Sequence, residues 1–279
     1  MITGKDVAEA VFSDLESCFY YSAKFRVNYE YSDAARQHAS FIGSGKNSKI
    51  RMSGEFRDFT VNNISDVFFI AIIVCHECAH YLNKHNDYKD TESMDFTAIE
   101  AWADYFGGRI FGVIITFGKK TQSIIKKFQS KLTQEALFDL IGLAIKDIYE
   151  KIYNGNTDKR YCSPEDRFFV FNAGFMSFFY QIHNELKPDF ILRLFPRILR
   201  NFFLLKKTSA IEINQAEHDE ITKKISEIHK NIQQNRVSIM LGVKDKYLSL
   251  LSTNYILSDT YREKKKTKLT EQAERLGVK

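Results

Sequence analysis

The chain has 279 residues, 44% of them hydrophobic and 14% aromatic, with a formal net charge of +5. Such a composition excludes a disordered or fibrous chain, and the charge is too slight to demand nucleic acid, so no nucleic-acid partner is expected. The length permits one large domain or two modest ones, each able to bury a core, and three prolines leave room for long helices.

No basic segment followed by an apolar core opens the sequence, so no signal peptide is expected. The longest charge-free apolar runs, residues 67–74 and 110–117, are shorter than the ~20 residues of a spanning helix, and no transmembrane segment is expected. The four cysteines, Cys18, Cys75, Cys78 and Cys162, form no extracellular disulfide pattern. A cytoplasmic protein is the expectation. Oligomeric state is not legible.

Apolar positions at Val7, Val11, Leu15, Cys18 and Phe19 form a helical stripe over residues 5–24, and Thr3 with Asp6 makes a plausible cap. Residues 25–31 alternate between aromatic or Val and polar side chains and read as a strand. Ala39–Ile42 and residues 49–52 flank the turn-rich loop 43–48, which predicts a hairpin. Asn63, with Asp66 three residues on, predicts the start of a helix running to about residues 82–84.

That helix carries His76-Glu77-Cys78-Ala79-His80. Histidines four apart lie on one helical face, so both imidazoles can reach a single ion, and imidazole nitrogen is a good zinc ligand. Glu77 falls about 100° round the helix, near the ion but off it, where a general base for water belongs. Residues 86–92 read as a loop. A second helix follows, ending near Gly107-Gly108, with Glu100 and Asp104 on one face. A catalytic zinc site needs three protein ligands and an open position, and Glu100 would be the third. Asp104 could accept the second ring N–H of a ligand histidine and fix its tautomer. His85 could compete for the third position or act behind the ligands. The longer run used by metzincins fails here, because Asn83 stands at its glycine position and Asn86 at its third histidine. Cys75-His76-Glu77-Cys78 also contains a Cys-x-x-Cys pair, but both cysteines lie off the histidine face and are expected in the core.

The order His-Glu-x-x-His, then Glu100-x-x-x-Asp104 about twenty residues on, resembles the gluzincin metallopeptidases. The detail Glu100-x-x-Ala103-Asp104-Tyr105-Phe106-Gly107-Gly108, with His85 five residues after His80, looks like the Lit-type phage-exclusion peptidases of bacteria. The likeness covers roughly residues 60–115. It implies a zincin-like catalytic core, a zinc ion, and a protein or peptide substrate; in the Lit-type family that substrate is a folded host protein, elongation factor Tu. It also implies an edge strand laying substrate backbone beside the metal, for which residues 49–54 are the candidate. A second oxyanion donor is usual in such enzymes. Tyr161, paired with Arg167, is the first choice, with Tyr180 and His183 as the others.

Residues 110–117 could extend the second helix or form a strand, and Gly118-Lys119-Lys120 breaks it. Beyond, the pattern is almost wholly helical. Ile124, Ile125, Phe128 and Leu132 share a face, and Leu137 through Ile152 form another stripe. Ser163-Pro164-Glu165-Asp166 is a helix start leading into the aromatic run 168–180. Arg193, Arg197 and Arg200 line one face of a further helix, able to bind an acidic partner or a membrane surface or to be ion-paired at home. Isoleucines from Ile211 to Ile239 recur at heptad-like spacing, and a basic helix is expected from Arg262.

The expected fold is mainly α with a small N-terminal β-sheet (α+β). Residues 1–118 would form the zincin-like core and residues 119–279 a helical region packed on it. The expected activity is zinc-dependent intracellular endopeptidase, possible in phage defence. Two alternatives stand: a regulatory or binding module that keeps a zinc helix without turnover, and a housekeeping processing metallopeptidase.

Overall fold

A computed structural model describes residues 1–87, 93–153, 161–183, 195–205 and 242–252, with the single positions 190, 192, 220, 223 and 227. The Ile211–Ile239 heptad pattern, Arg193 and the basic tail from Arg262 lie outside the described residues. The protein is mainly helical with a small β region near its N-terminus.

Strand β1 (Ile2–Thr3) leads into helix α1 (Gly4–Ser17), started by the Thr3–Asp6 capping box. The helix stops at Ser17, short of the residue 24 that its apolar stripe suggested, and a 3₁₀ turn takes Tyr21–Ala23. Strands β2 (Tyr29–Ser32), β3 (Ala39–Ile42) and β4 (Lys49–Ser53) form a three-stranded sheet in the order β2-β4-β3. The predicted hairpin is β3–β4, paired antiparallel from Ala39↔Met52 to Ile42↔Lys49. The β2–β4 pairing is parallel, a non-local contact that the local sequence pattern did not reveal. A short helix α2 (Gly54–Asp58) and strand β5 (Thr60–Val61), which pairs with β1, complete this region.

Helix α3 (Ile64–Asn83) is the central element. Asn63 caps it, its side chain accepting from Asp66 N–H at 3.0 Å, and Lys84 ends it in the left-handed region at φ 54°. Val67, Phe68, Ile70, Ala71, Val74 and Cys75 are completely or almost completely buried. By length and composition Ile64–Asp87 passes as a possible membrane span, because buried residues beyond Val74 lengthen the apolar run; 72% of its most apolar window is buried inside the protein. Burial inside the fold accounts for that hydropathy without a bilayer.

Helix α4 (Ser93–Phe117) packs along α3 on one side. It does not end at Gly107-Gly108. The pair lies mid-helix at the closest approaches to neighbouring helices: a Cβ on Gly107 would sit 3.0 Å from His76 Cα. Residues 110–117 continue α4 with Ile110, Phe111, Val113 and Ile114 in the core. Gly118 then separates α4 from α5 (Lys119–Phe128), whose first N–H groups are capped by Asp14 of α1. Helix α6 (Gln134–Ile148) ends in a π-helical turn, Tyr149–Tyr153. Helix α7 (Pro164–His183) starts at Ser163, whose hydroxyl accepts from Asp166 N–H at 3.1 Å, and packs along the far side of α4. Its Phe168, Phe171, Phe175 and Phe178 are buried. Helix α8 (Phe195–Leu205) packs on α6, and the last described element is the single turn α9 (Leu248–Leu251). Arg197 and Arg200 both turn to Asp139 of α6, at 2.6 and 3.8 Å, so these two arginines are ion-paired within the chain.

Candidate metal centre

Helix α3 sets His76 and His80 one turn apart, and the Gly107 contact draws α4 in close enough for Glu100 to reach both. The two Nε2 atoms are 3.1 Å apart. Glu100 Oε2 lies 3.2 Å from His76 Nε2 and 3.5 Å from His80 Nε2. Ligands at ~2.0–2.1 Å from a tetrahedral ion are spaced about 3.3–3.4 Å apart, so the three donors trace one face of such a tetrahedron. Glu100 Oε2 is buried and meets no well-directed hydrogen-bond donor among the described residues. That is costly for a carboxylate unless a cation completes its shell. The three side chains can therefore hold a metal ion.

Electrostatics agrees. Burial pushes the Glu100 carboxyl up, but His80 and His76 outweigh it and hold the group well below the usual carboxylate range. Burial disfavours the charged His76 ring, but Asp104 and Glu100 prevail and push it up to about 10. The pocket favours positive charge among these groups.

Each imidazole is oriented from behind. His76 Nδ1 lies 2.8 Å from Asp104 Oδ1. His80 Nδ1 lies 2.7 Å from His85 Nδ1. With both Nε2 atoms given to a metal, each Nδ1 would carry the proton, with Asp104 and His85 as acceptors. His85 thus sits behind a ligand, outside the donor triangle. Asp104 in turn accepts two hydrogen bonds from Arg167, at 2.8 Å from Nε and 3.0 Å from Nη2.

Glu77 is buried beside this cluster and lines the same cavity. Burial pushes its carboxyl above the usual range, while His76, His80 and the donating N–H of Phe41 pull the other way. Phe41 belongs to β3, which sequence reasoning did not place at the site. Residues 49–54, the candidate substrate strand, are corrected on this point: β4 is the central strand, with both edges taken by β2 and β3, and Gly54 already starts α2. Of the two outer strands, β2 and β3, it is β3 that borders the cavity. Ser53 N–H donates to His38 C=O at 3.0 Å. Antiparallel alternation then turns the backbone groups of Ala39 and Phe41 away from β4. Phe41 C=O is taken by Asn86 Nδ2 at 3.1 Å and its N–H by Glu77, while Ala39 lines the cavity.

The cavity has a volume of about 570 Å³ and is lined from both sides of residue 118. Tyr161 lines it, its ring 4.6 Å from the Arg167 guanidinium carbon. Tyr153, from the π-helical turn, lies on the same guanidinium at 4.0 Å and also lines the cavity. No local signal marked Tyr153, because the turn that presents it breaks the helical period. Arg167 is buried and turned onto Asp104, so its partner is that carboxylate. Tyr180 and His183 do not line the cavity. Cys75 and Cys78 are fully buried, and burial pushes both thiols well above their usual range.

No known protein family, curated protein or solved structure matches this chain.

Proposed function

We propose that the protein is a zinc-dependent endopeptidase that hydrolyses a peptide bond of a protein substrate. The observation carrying this reading is the donor triangle of His76, His80 and Glu100 with the buried carboxylate of Glu77 beside it. Two histidines and a glutamate are a donor set used by catalytic zinc, with one position left for a fourth ligand. When bound, zinc supplies Lewis acidity toward water and toward a carbonyl oxygen. Glu77 accepts the proton of the attacking water and passes it to the leaving amine nitrogen. Its raised proton affinity suits that task. A purely structural metal site has no use for such a base, which argues against a binding module without turnover.

Substrate backbone would lie along β3, adding a strand at the edge where Ala39 faces the cavity. Ile72, Ile73, Phe96 and Ile99 give the cavity apolar walls. Tyr161, seated on Arg167, is the hydroxyl assigned to the developing oxyanion, with Tyr153 beside it. A part in phage exclusion rests on the motif resemblance alone.

The test compares protein N-termini in cells expressing wild type or Glu77→Gln. New N-termini are expected with wild type only, and purified wild type should carry about one zinc per chain. Equal cleavage by Glu77→Gln, or no metal uptake by wild type, would overturn the reading.

A further inference from the structure

We infer that Arg167 is a positioning residue for the metal centre, acting on His76 through Asp104. This rests on the metal reading above and extends it to a residue that touches neither the ion nor any ligand.

Asp104 is 2% exposed on its side chain and stands between two partners. One oxygen, Oδ1, is 2.8 Å from His76 Nδ1 and 3.0 Å from Arg167 Nη2; the other, Oδ2, is 2.8 Å from Arg167 Nε. The guanidinium fork therefore fixes the plane of the carboxylate, and the carboxylate fixes the ring of His76. A lone aspartate could rotate about its side-chain bonds; one held bidentately cannot without losing a hydrogen bond. The carboxylate oxygen 2.8 Å from Nδ1 is placed to accept the ring N–H, which strengthens His76 as a ligand.

Arg167 is itself held in place. Its guanidinium carbon lies 4.0 Å from the Tyr153 ring centroid and 4.6 Å from that of Tyr161. Those rings come from the π-helical turn and from the approach to α7. The stack ties the helical half of the chain to a ligand on α3. Lysine could not reproduce it, because an ammonium offers neither the planar fork nor the flat face.

The experiment measures zinc affinity of the full-length protein by competition with a chromophoric chelator. It also records the visible spectrum of the cobalt-loaded form, a readout of ligand geometry independent of peptidase activity. Arg167→Met should weaken zinc binding by about 10–100-fold and shift the cobalt bands, in line with the loss of an outer-shell partner. Arg167→Lys, the milder variant if Arg167→Met does not fold, should recover only part of the affinity. Arg109→Met is the control: Arg109 is similarly buried on α4, bonded to Tyr105 and Ser177, and does not touch Asp104. It should bind zinc as wild type does. Wild-type affinity in both Arg167 variants, or an equal loss in Arg109→Met, would overturn the role. If wild type itself takes up no zinc, the metal reading beneath it falls as well.

Discussion

His80 and His85 face each other through their Nδ1 atoms at 2.7 Å, five residues apart across the end of α3. Lys84 makes this possible by turning the chain through the left-handed region at φ 54°, which folds His85 back beneath the ring of His80. The contact uses the nitrogen that faces away from Glu100, so His85 supports a ligand and does not replace one. His85→Ala should lower metal affinity by about 10–100-fold. Glu100→Ala removes a donor and should weaken binding well beyond that range. Chelator competition on the two purified variants checks the order, and the reverse order would put His85 in the donor set.

Asp14 joins two distant segments. Its buried carboxylate accepts from Lys120 N–H at 2.9 Å and from Thr121 N–H at 2.8 Å, satisfying the first turn of α5 from within α1. Asp14→Ala would leave those donors without their acceptor in a region closed to water. Unfolding in denaturant should show a loss of about 1–3 kcal/mol. A loss below ~0.5 kcal/mol would mean that water or a shifted backbone replaces the cap.

Gly174 lets α7 rest directly on α4, for a Cβ there would overlap the Tyr105 carbonyl. Backbone cannot yield as a flexible side chain does, so the strain of a larger residue must move a whole helix. Gly174→Val should cost at least about 2–3 kcal/mol, near the upper end of overpacking effects. It should also loosen the Arg167–Asp104 contact, since Arg167 and Gly174 share α7. Stability and zinc affinity measured together test both halves; an unchanged denaturation midpoint would show that the helices have room.

The thiols should divide by burial. Cys18, Cys75 and Cys78 are buried, whereas Cys162 is part-exposed. Burial, with Asp14 adding to it, pushes Cys18 up to about 12, and burial holds Cys75 and Cys78 well above the usual thiol range. Alkylation of native protein at neutral pH should therefore modify Cys162 alone, and all four after unfolding. Mass spectrometry distinguishes the sites. Rapid labelling of Cys75 or Cys78 would reopen a redox or metal role for the Cys-x-x-Cys pair.

The sequence by itself determined the elements whose causes are local. Asn63 and Asp66 fixed the start of α3, the loop 43–48 fixed the β3–β4 hairpin, and Ser163-Pro164 fixed the start of α7. Helical spacing alone put His76 beside His80, and Glu100 on one face with Asp104. The tertiary structure decided what depends on contacts between distant segments. The parallel pairing of β2 with β4 buried the strand expected at the edge and left β3 facing Glu77. Close helix packing at Gly107, which in sequence read as a helix end, and at Gly174 set how near α4 comes to α3 and α7. Arg167 was legible as a residue near a candidate tyrosine but not as the partner of Asp104, sixty-three positions away. Caps and periodicity act within a few residues and are written locally, whereas register, helix approach and ion pairing across the core follow from which surfaces bury one another.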